Sequence, residues 1–169
     1  MLGLEQLAEL LEKNRAAAKT RVKEFSIGGR HFAFNSQPAI MGVINLSADS
    51  WYRESVCLTA ESAVRQGRVM REQGADIIDV GAESTLAHAA CVDEAGQNSM
   101  LLPVIRALRE SGILVSAETY QPAVTRACLE AGANILNLTG TDRPDDHFRM
   151  VVAHDAAVII CYVQGRNVR

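Results

Sequence analysis

With 169 residues, 48% of them apolar, the chain is long enough to bury one core, and its net charge of −3 is made of interspersed acids and bases. That balance leaves no basic footprint for nucleic acid, and no run approaches the roughly 18 apolar residues of a membrane span. Cys57, Cys91, Cys128 and Cys161 form no C-x-x-C pair and His31, His88, His147 and His154 have no zinc spacing, so reduced thiols in a cytoplasmic protein are expected.

The chain opens with leucines at helical spacing among Glu and Lys, which predicts an amphipathic packing or dimer-contact helix over residues 1–24. FSIGGRHFAF, Phe25 to Phe34, alternates apolar and polar around a glycine turn and predicts a β-hairpin able to cover one end of a larger sheet. Residues 25–169 then read as one α/β unit.

Strands are expected at Ala39–Ile44, Asp76–Val80, Ile113–Ala117, Ile135–Leu138 and Ala156–Val163. Helices between them are marked by a Thr59 cap, by Pro122 and by stops at Gly74 and Gly132. Pro103 falls inside the predicted helix Glu94–Ser111, which must either kink or restart there. The joint EQGADIIDV (Glu72–Val80) returns as EAGANILNL (Glu130–Leu138), so the βα unit repeats.

An order βαβαβαβαβ requires crossovers and hence a parallel sheet, whose strands end on one rim. The predicted rim residues are Asn45, Glu83, Glu118, Asn137 and Tyr162. Such groups at the mouth of a buried sheet are costly unless solvated, paired or facing a ligand, although strand-end Asn and Asp also cap helices. Asp79, on an apolar strand, either joins such a network or bonds nearby backbone. Trp51 beside Tyr52 either stacks on an aromatic ligand or anchors its loop. Arg166 and Arg169 read as a solvated terminus.

MGVINLSADS (Met41–Ser50), GADIIDVGAEST (Gly74–Thr85), SAETYQPAVTRACLEAGANILN (Ser116–Asn137) and VIICYVQG (Val158–Gly165) together resemble dihydropteroate synthase and, more broadly, the pterin-binding TIM-barrel enzymes. The resemblance implies a (β/α)8 barrel of which this chain holds about the first five strands. It also implies condensation of a dihydropterin methyl diphosphate with p-aminobenzoate, a Mg²⁺ cofactor and a homo-oligomer. By matching position, Asn45 would hold Mg²⁺ and the diphosphate, and Thr85 would sit beside the diphosphate. Ser47, Asp49 and Ser50 would lie on a mobile loop, and Glu118, Asn137 and Asp79 would take the pterin.

The sequence departs from the family pattern at several points. Glu118 stands for Asp, Leu86 for Arg, Leu138 for Asp, and Ala48 and Ala82 for a loop Pro and a Gly. Two further readings stand beside the synthase: a pterin-binding or partner module without turnover, and a methyltetrahydrofolate:corrinoid methyltransferase-type domain.

Overall fold

The computed structural model describes residues 3–50, 52–86 and 88–168. Trp51 and Arg169, singled out above, lie outside them. Two strands, β1 (Phe25–Ile27) and β2 (Arg30–Phe32), form an antiparallel hairpin. Gly28 (φ 54°) and Gly29 (φ 81°) take the left-handed conformation that its two-residue turn requires.

Five parallel strands follow in sequence order, β3 (Met41–Asn45), β4 (Ile77–Gly81), β5 (Val115–Thr119), β6 (Ile135–Leu138) and β7 (Ala157–Ile160). The crossovers are α3 (Ala60–Glu72), α4 (Glu94–Glu110), α5 (Pro122–Glu130) and α6 (Pro144–Ala153). This is the parallel sheet expected from the alternation, and its order is that of the partial barrel implied by the resemblance. The helix-facing side of the sheet carries Ile44, Ile78, Val80, Val115 and Ala117, which pack with Ala63, Leu101, Val104, Ile105 and Leu108 into the main core.

The sequence repeat has a structural counterpart. Gly74 (φ 104°) and Gly132 (φ 101°) end α3 and α5 in the left-handed region. In each copy the next alanine donates back into the helix, Ala75 to Met70 (2.9 Å) and Ala133 to Cys128 (3.0 Å). The polar residue that follows then holds the start of a neighbouring strand. Asp76 Oδ2 accepts from the Ile40 amide (2.8 Å), and Asn134 Oδ1 accepts from the Val115 amide (3.2 Å).

Two expectations are corrected. The N-terminal helix does not reach residue 24: α1 (Leu4–Lys13) ends at Asn14, a short α2 (Arg15–Ala18) follows, and residues 19–24 are irregular. At the break the Asn14 side chain donates to the Leu10 carbonyl, and further on the Asn35 amide donates to the Val22 carbonyl and accepts from the Val22 amide, so those backbone groups are held outside a helix. The third predicted strand begins and ends two residues late, so Glu118 lies inside β5 rather than beyond it. Pro103 does not interrupt α4, which runs continuously through it.

Candidate functional site

Parallel pairing in register decides which side chains share a face. Asn45, Gly81, Glu118, Asn137 and Ile159 form one row across the sheet, and Val43, Asp79, Ser116, Ile135 and Ala157 form the row beneath. All of these point away from the helices, into what would be a barrel interior. The bottom of that interior is apolar: Ile27 and Phe32 of the hairpin pack on Ile77, Leu114 and Ile135. Arg30 pairs with Asp76 and pins the hairpin there.

The next layer up is polar. Asn137 Nδ2 donates to Asp79 Oδ2 (3.2 Å), and the Cys161 thiol donates to Asn137 Oδ1 (3.3 Å). These two bonds fix the Asn137 amide with its nitrogen toward β4 and its oxygen toward β7. Asp79 Oδ1 and the Ser116 hydroxyl are buried and make no hydrogen bond. Burial pushes the Asp79 carboxyl up to about 6, against the pull of nearby Ser116 and of Asn137. Ser116 lies close enough to act electrostatically while remaining outside hydrogen-bond geometry.

Glu118 sits over the one gap in its row. A methyl group built on Gly81 would lie 2.5 Å from Glu118 Oε2, so the carboxylate rests across a neighbour that has no side chain. The extra methylene, relative to the Asp implied by the resemblance, is accommodated there. Burial first, and then the like charge of Asp79, push the Glu118 carboxyl up to about 7. Thr139 draws it back and Glu83 adds to the rise.

Glu83 is buried and tied down, with its Oε2 accepting from the Tyr120 hydroxyl (2.9 Å) and from Gln97 Nε2 (3.0 Å). Gln97 also donates to the Val92 carbonyl and accepts from Thr119, which fastens the loop before α4 to the end of β5. The Ser84 hydroxyl donates to the Asp49 carbonyl (3.0 Å), joining the loops that follow β3 and β4.

A cavity of about 580 Å³ opens beside Glu118, lined by Met41, Val43, Asn45, Ser50, Tyr52, Met70, Glu83, Ser84 and Thr85 as well. Among the described residues its lining holds two carboxylates and no Lys or Arg. Asn45 Nδ2 donates to the Ser55 hydroxyl (2.6 Å), which in turn donates to the Tyr52 carbonyl (2.7 Å). That relay commits the Asn45 nitrogen and leaves its oxygen as the side chain's remaining donor atom for a cation. Among the described residues no group of three His, Cys, Asp or Glu is arranged to hold a metal. A cation here would therefore take most of its ligands from water or substrate oxygens, as Mg²⁺ commonly does.

The predicted residues thus divide. Asn45, Glu118, Asn137 and Asp79 share the interior face, and Asn45, Ser50, Thr85 and Glu118 line one cavity. Ser47 and Asp49 are not in its wall; the Ser47 hydroxyl accepts from the Asp49 amide (3.3 Å) within the loop. Tyr162 is not a rim residue: it is 89% exposed, and Cys161 holds the interior position. Sequence reading missed Cys161, Ser116, Gln97 and Tyr120. Alternation along β7, once Ile159 is placed, is the signal that would have found Cys161.

A set of parallel strands presenting carboxylates and amides at their C-terminal ends defines a ligand-binding member of the (β/α)-barrel class. The particular family follows from comparison: residues 41–169 match the family model described as pterin binding enzyme, and the chain belongs to that family.

Among curated relatives, a dihydropteroate synthase of Streptococcus pyogenes serotype M1 is 35% identical over 139 residues, covering 81% of this chain and 52% of the relative. A probable bifunctional folylpolyglutamate synthase/dihydropteroate synthase of Halobacterium salinarum is 37% identical over 125 residues, 73% of this chain and 15% of that protein. Solved structures are similar as well, two of them as follows. The Yersinia pestis dihydropteroate synthase with a sulfonamide drug superposes with a TM-score of 0.74 at 25% identity, over 85% of this chain and 52% of that one. The Burkholderia cenocepacia enzyme complexed with 7,8-dihydropteroate gives 0.72 at 26%, over 88% and 49%. The chain spans about half the length of the streptococcal relative and of both solved structures.

Proposed function

We propose that the chain binds a dihydropterin at the polar rim and takes part in folate biosynthesis as a cytoplasmic, dihydropteroate synthase-like transferase. The reaction is condensation of a dihydropterin methyl diphosphate with p-aminobenzoate. The observation that carries the reading is the row Asn45, Glu118 and Asn137 with Asp79 beneath it. A buried Asp79 and a half-buried Glu118, both with raised pKa values and with no cationic partner among the described residues, suit a flat ring whose edge donates hydrogen bonds. The solved Burkholderia relative, complexed with 7,8-dihydropteroate, supports the choice of ring.

Within this reading Asp79 and Glu118 accept from the ring, Asn137 supplies an amide already oriented by Cys161, and Asn45 would hold Mg²⁺ through its side-chain oxygen. Ser50 and Thr85 offer hydroxyls to the diphosphate at the cavity wall. Mg²⁺ when bound neutralises charge on the departing diphosphate.

A second reading, pterin binding without turnover, is favoured by the cavity lining itself. With Glu83 and Glu118 present and Leu86 where the resemblance implies Arg, no guanidinium clasps an anion there. Release of diphosphate on mixing the chain with Mg²⁺, dihydropterin methyl diphosphate and p-aminobenzoate distinguishes the two. Turnover supports the synthase, saturable pterin binding with a blank release assay supports the second reading, and no pterin binding rejects both.

A further inference from the structure

The cavity beside Glu118 extends from the row that faces the ring to β3, so its walls decide what a substituent on the ring would meet. They carry the Glu83 and Glu118 carboxylates, the Asn45 side chain and the hydroxyls of Ser50 and Thr85. Glu83 is not free to swing aside: it is buried, and its Oε2 accepts from the Tyr120 hydroxyl (2.9 Å) and from Gln97 Nε2 (3.0 Å). An anion entering the cavity therefore meets a fixed carboxylate, and among the described residues no Lys or Arg lines the wall to offset it.

The neighbouring hydrogen-bond donors are committed elsewhere. Asn45 Nδ2 donates to the Ser55 hydroxyl (2.6 Å). Between β3 and α3, the Asp49 amide donates to the Ser47 hydroxyl (3.3 Å) and the Ser50 amide to the Ser47 carbonyl (3.4 Å). After β4, the Leu86 amide donates to the Ser84 hydroxyl (3.2 Å). Arg53 donates to the Ala48 carbonyl (2.6 Å) and does not line the cavity. Both loops thus close on themselves at these amides instead of turning them toward a phosphate. A diphosphate without a counterion would face like charge here and lose hydration with little in return. A hydroxyl in the same place can donate to the Glu83 carboxylate and accept from Ser50 or Thr85, a pairing that suits this wall.

We propose that the side chains of this cavity select a dihydropterin whose exocyclic methylene carries an uncharged hydroxyl, the parent alcohol of the methyl diphosphate, over the diphosphate ester itself. This selectivity rests on the pterin reading of the rim and narrows it to one class of ring substituent. Glu83 is then the specificity-determining residue, and Tyr120 and Gln97 are positioning residues that hold its carboxylate in the wall.

The test is calorimetric titration of the full chain with hydroxymethyl-dihydropterin and, separately, with its diphosphate ester, in buffer containing a metal chelator so that the side chains alone are compared. Wild type is expected to bind the alcohol at least about tenfold more tightly than the ester, the discrimination that a close like-charge contact provides. Glu83→Gln keeps an oxygen for Tyr120 while removing the charge, and should raise affinity for the ester about tenfold. Leu86→Arg, which puts a guanidinium next to Thr85 in the chain, should raise it as well. A gain of affinity in either variant supports the selectivity, since a damaged fold does not produce one. Equal or tighter binding of the ester by wild type, or no gain for the ester in both variants, would overturn the selectivity and leave the pterin site standing. Failure of wild type to bind either ligand would overturn both.

Discussion

The two ends of the barrel-facing side of the sheet lie only a few residues apart along each strand and obey opposite rules. At the closed end, Ile77, Leu114 and Ile135 are capped by Ile27 and Phe32 of the hairpin, and the contacts are those of an ordinary core. At the open end the same strands present Asp79, Glu118 and Asn137, with Asp79 Oδ1 and Ser116 Oγ left without hydrogen bonds. Packing explains the first end and argues against the second, where burying like charges costs free energy. The comparison teaches that stability is supplied from below and given up above, which is the pattern of a binding rim.

The largest expected effect lies at the closed end. Phe32→Ala should cost about 3–5 kcal/mol in urea unfolding, the usual range for emptying a buried aromatic site. A loss below about 1 kcal/mol would mean that the hairpin is a loose cover.

The open end should respond with the opposite sign. Glu118 titrates at about 7 in the folded chain against 4.5 in the unfolded one. Between those values the folded state holds the extra proton, so stability contributed by this group falls as pH rises through that window. Glu118→Gln removes the term. The variant should gain about 1–3 kcal/mol on wild type by pH 8 and little at pH 4, in parallel denaturation series. A flat difference would remove Glu118 from the buried cluster.

Gly81→Ala sharpens the contrast further. The new methyl group meets only the flexible end of Glu118, so folding should change by less than about 1 kcal/mol while pterin affinity falls about tenfold. Equal losses in both measurements would show that the glycine serves packing alone. The smallest effect is expected far from either end, where Leu4→Ser on exposed α1 should shift stability within about 0.5 kcal/mol.

Much of this was legible from local pattern. The Gly-Ala joints, the Thr59 cap, the Pro122 start and the order of strands and helices depend on neighbours in sequence, and all stand in the structure. What depends on partners was misjudged. Cys161 rather than Tyr162 faces inward because the parity of β7 is fixed by its pairing with β6. The chain is not helical at Val22, whose backbone is held by Asn35, thirteen residues on. Glu118 and Asn137 are legible as strand-end polar residues, but only the register shows that they are neighbours, and only the Gly81 gap shows how Glu118 fits.

Calorimetric titration of a dihydropterin onto wild type, Glu118→Ala and Asn137→Ala probes the rim directly. Saturable binding by wild type and at least about a tenfold loss in each variant is the expected result, since each removes a polar partner of the ring. Unchanged affinity in both variants, with their folds intact, would contradict a pterin site at this end of the sheet.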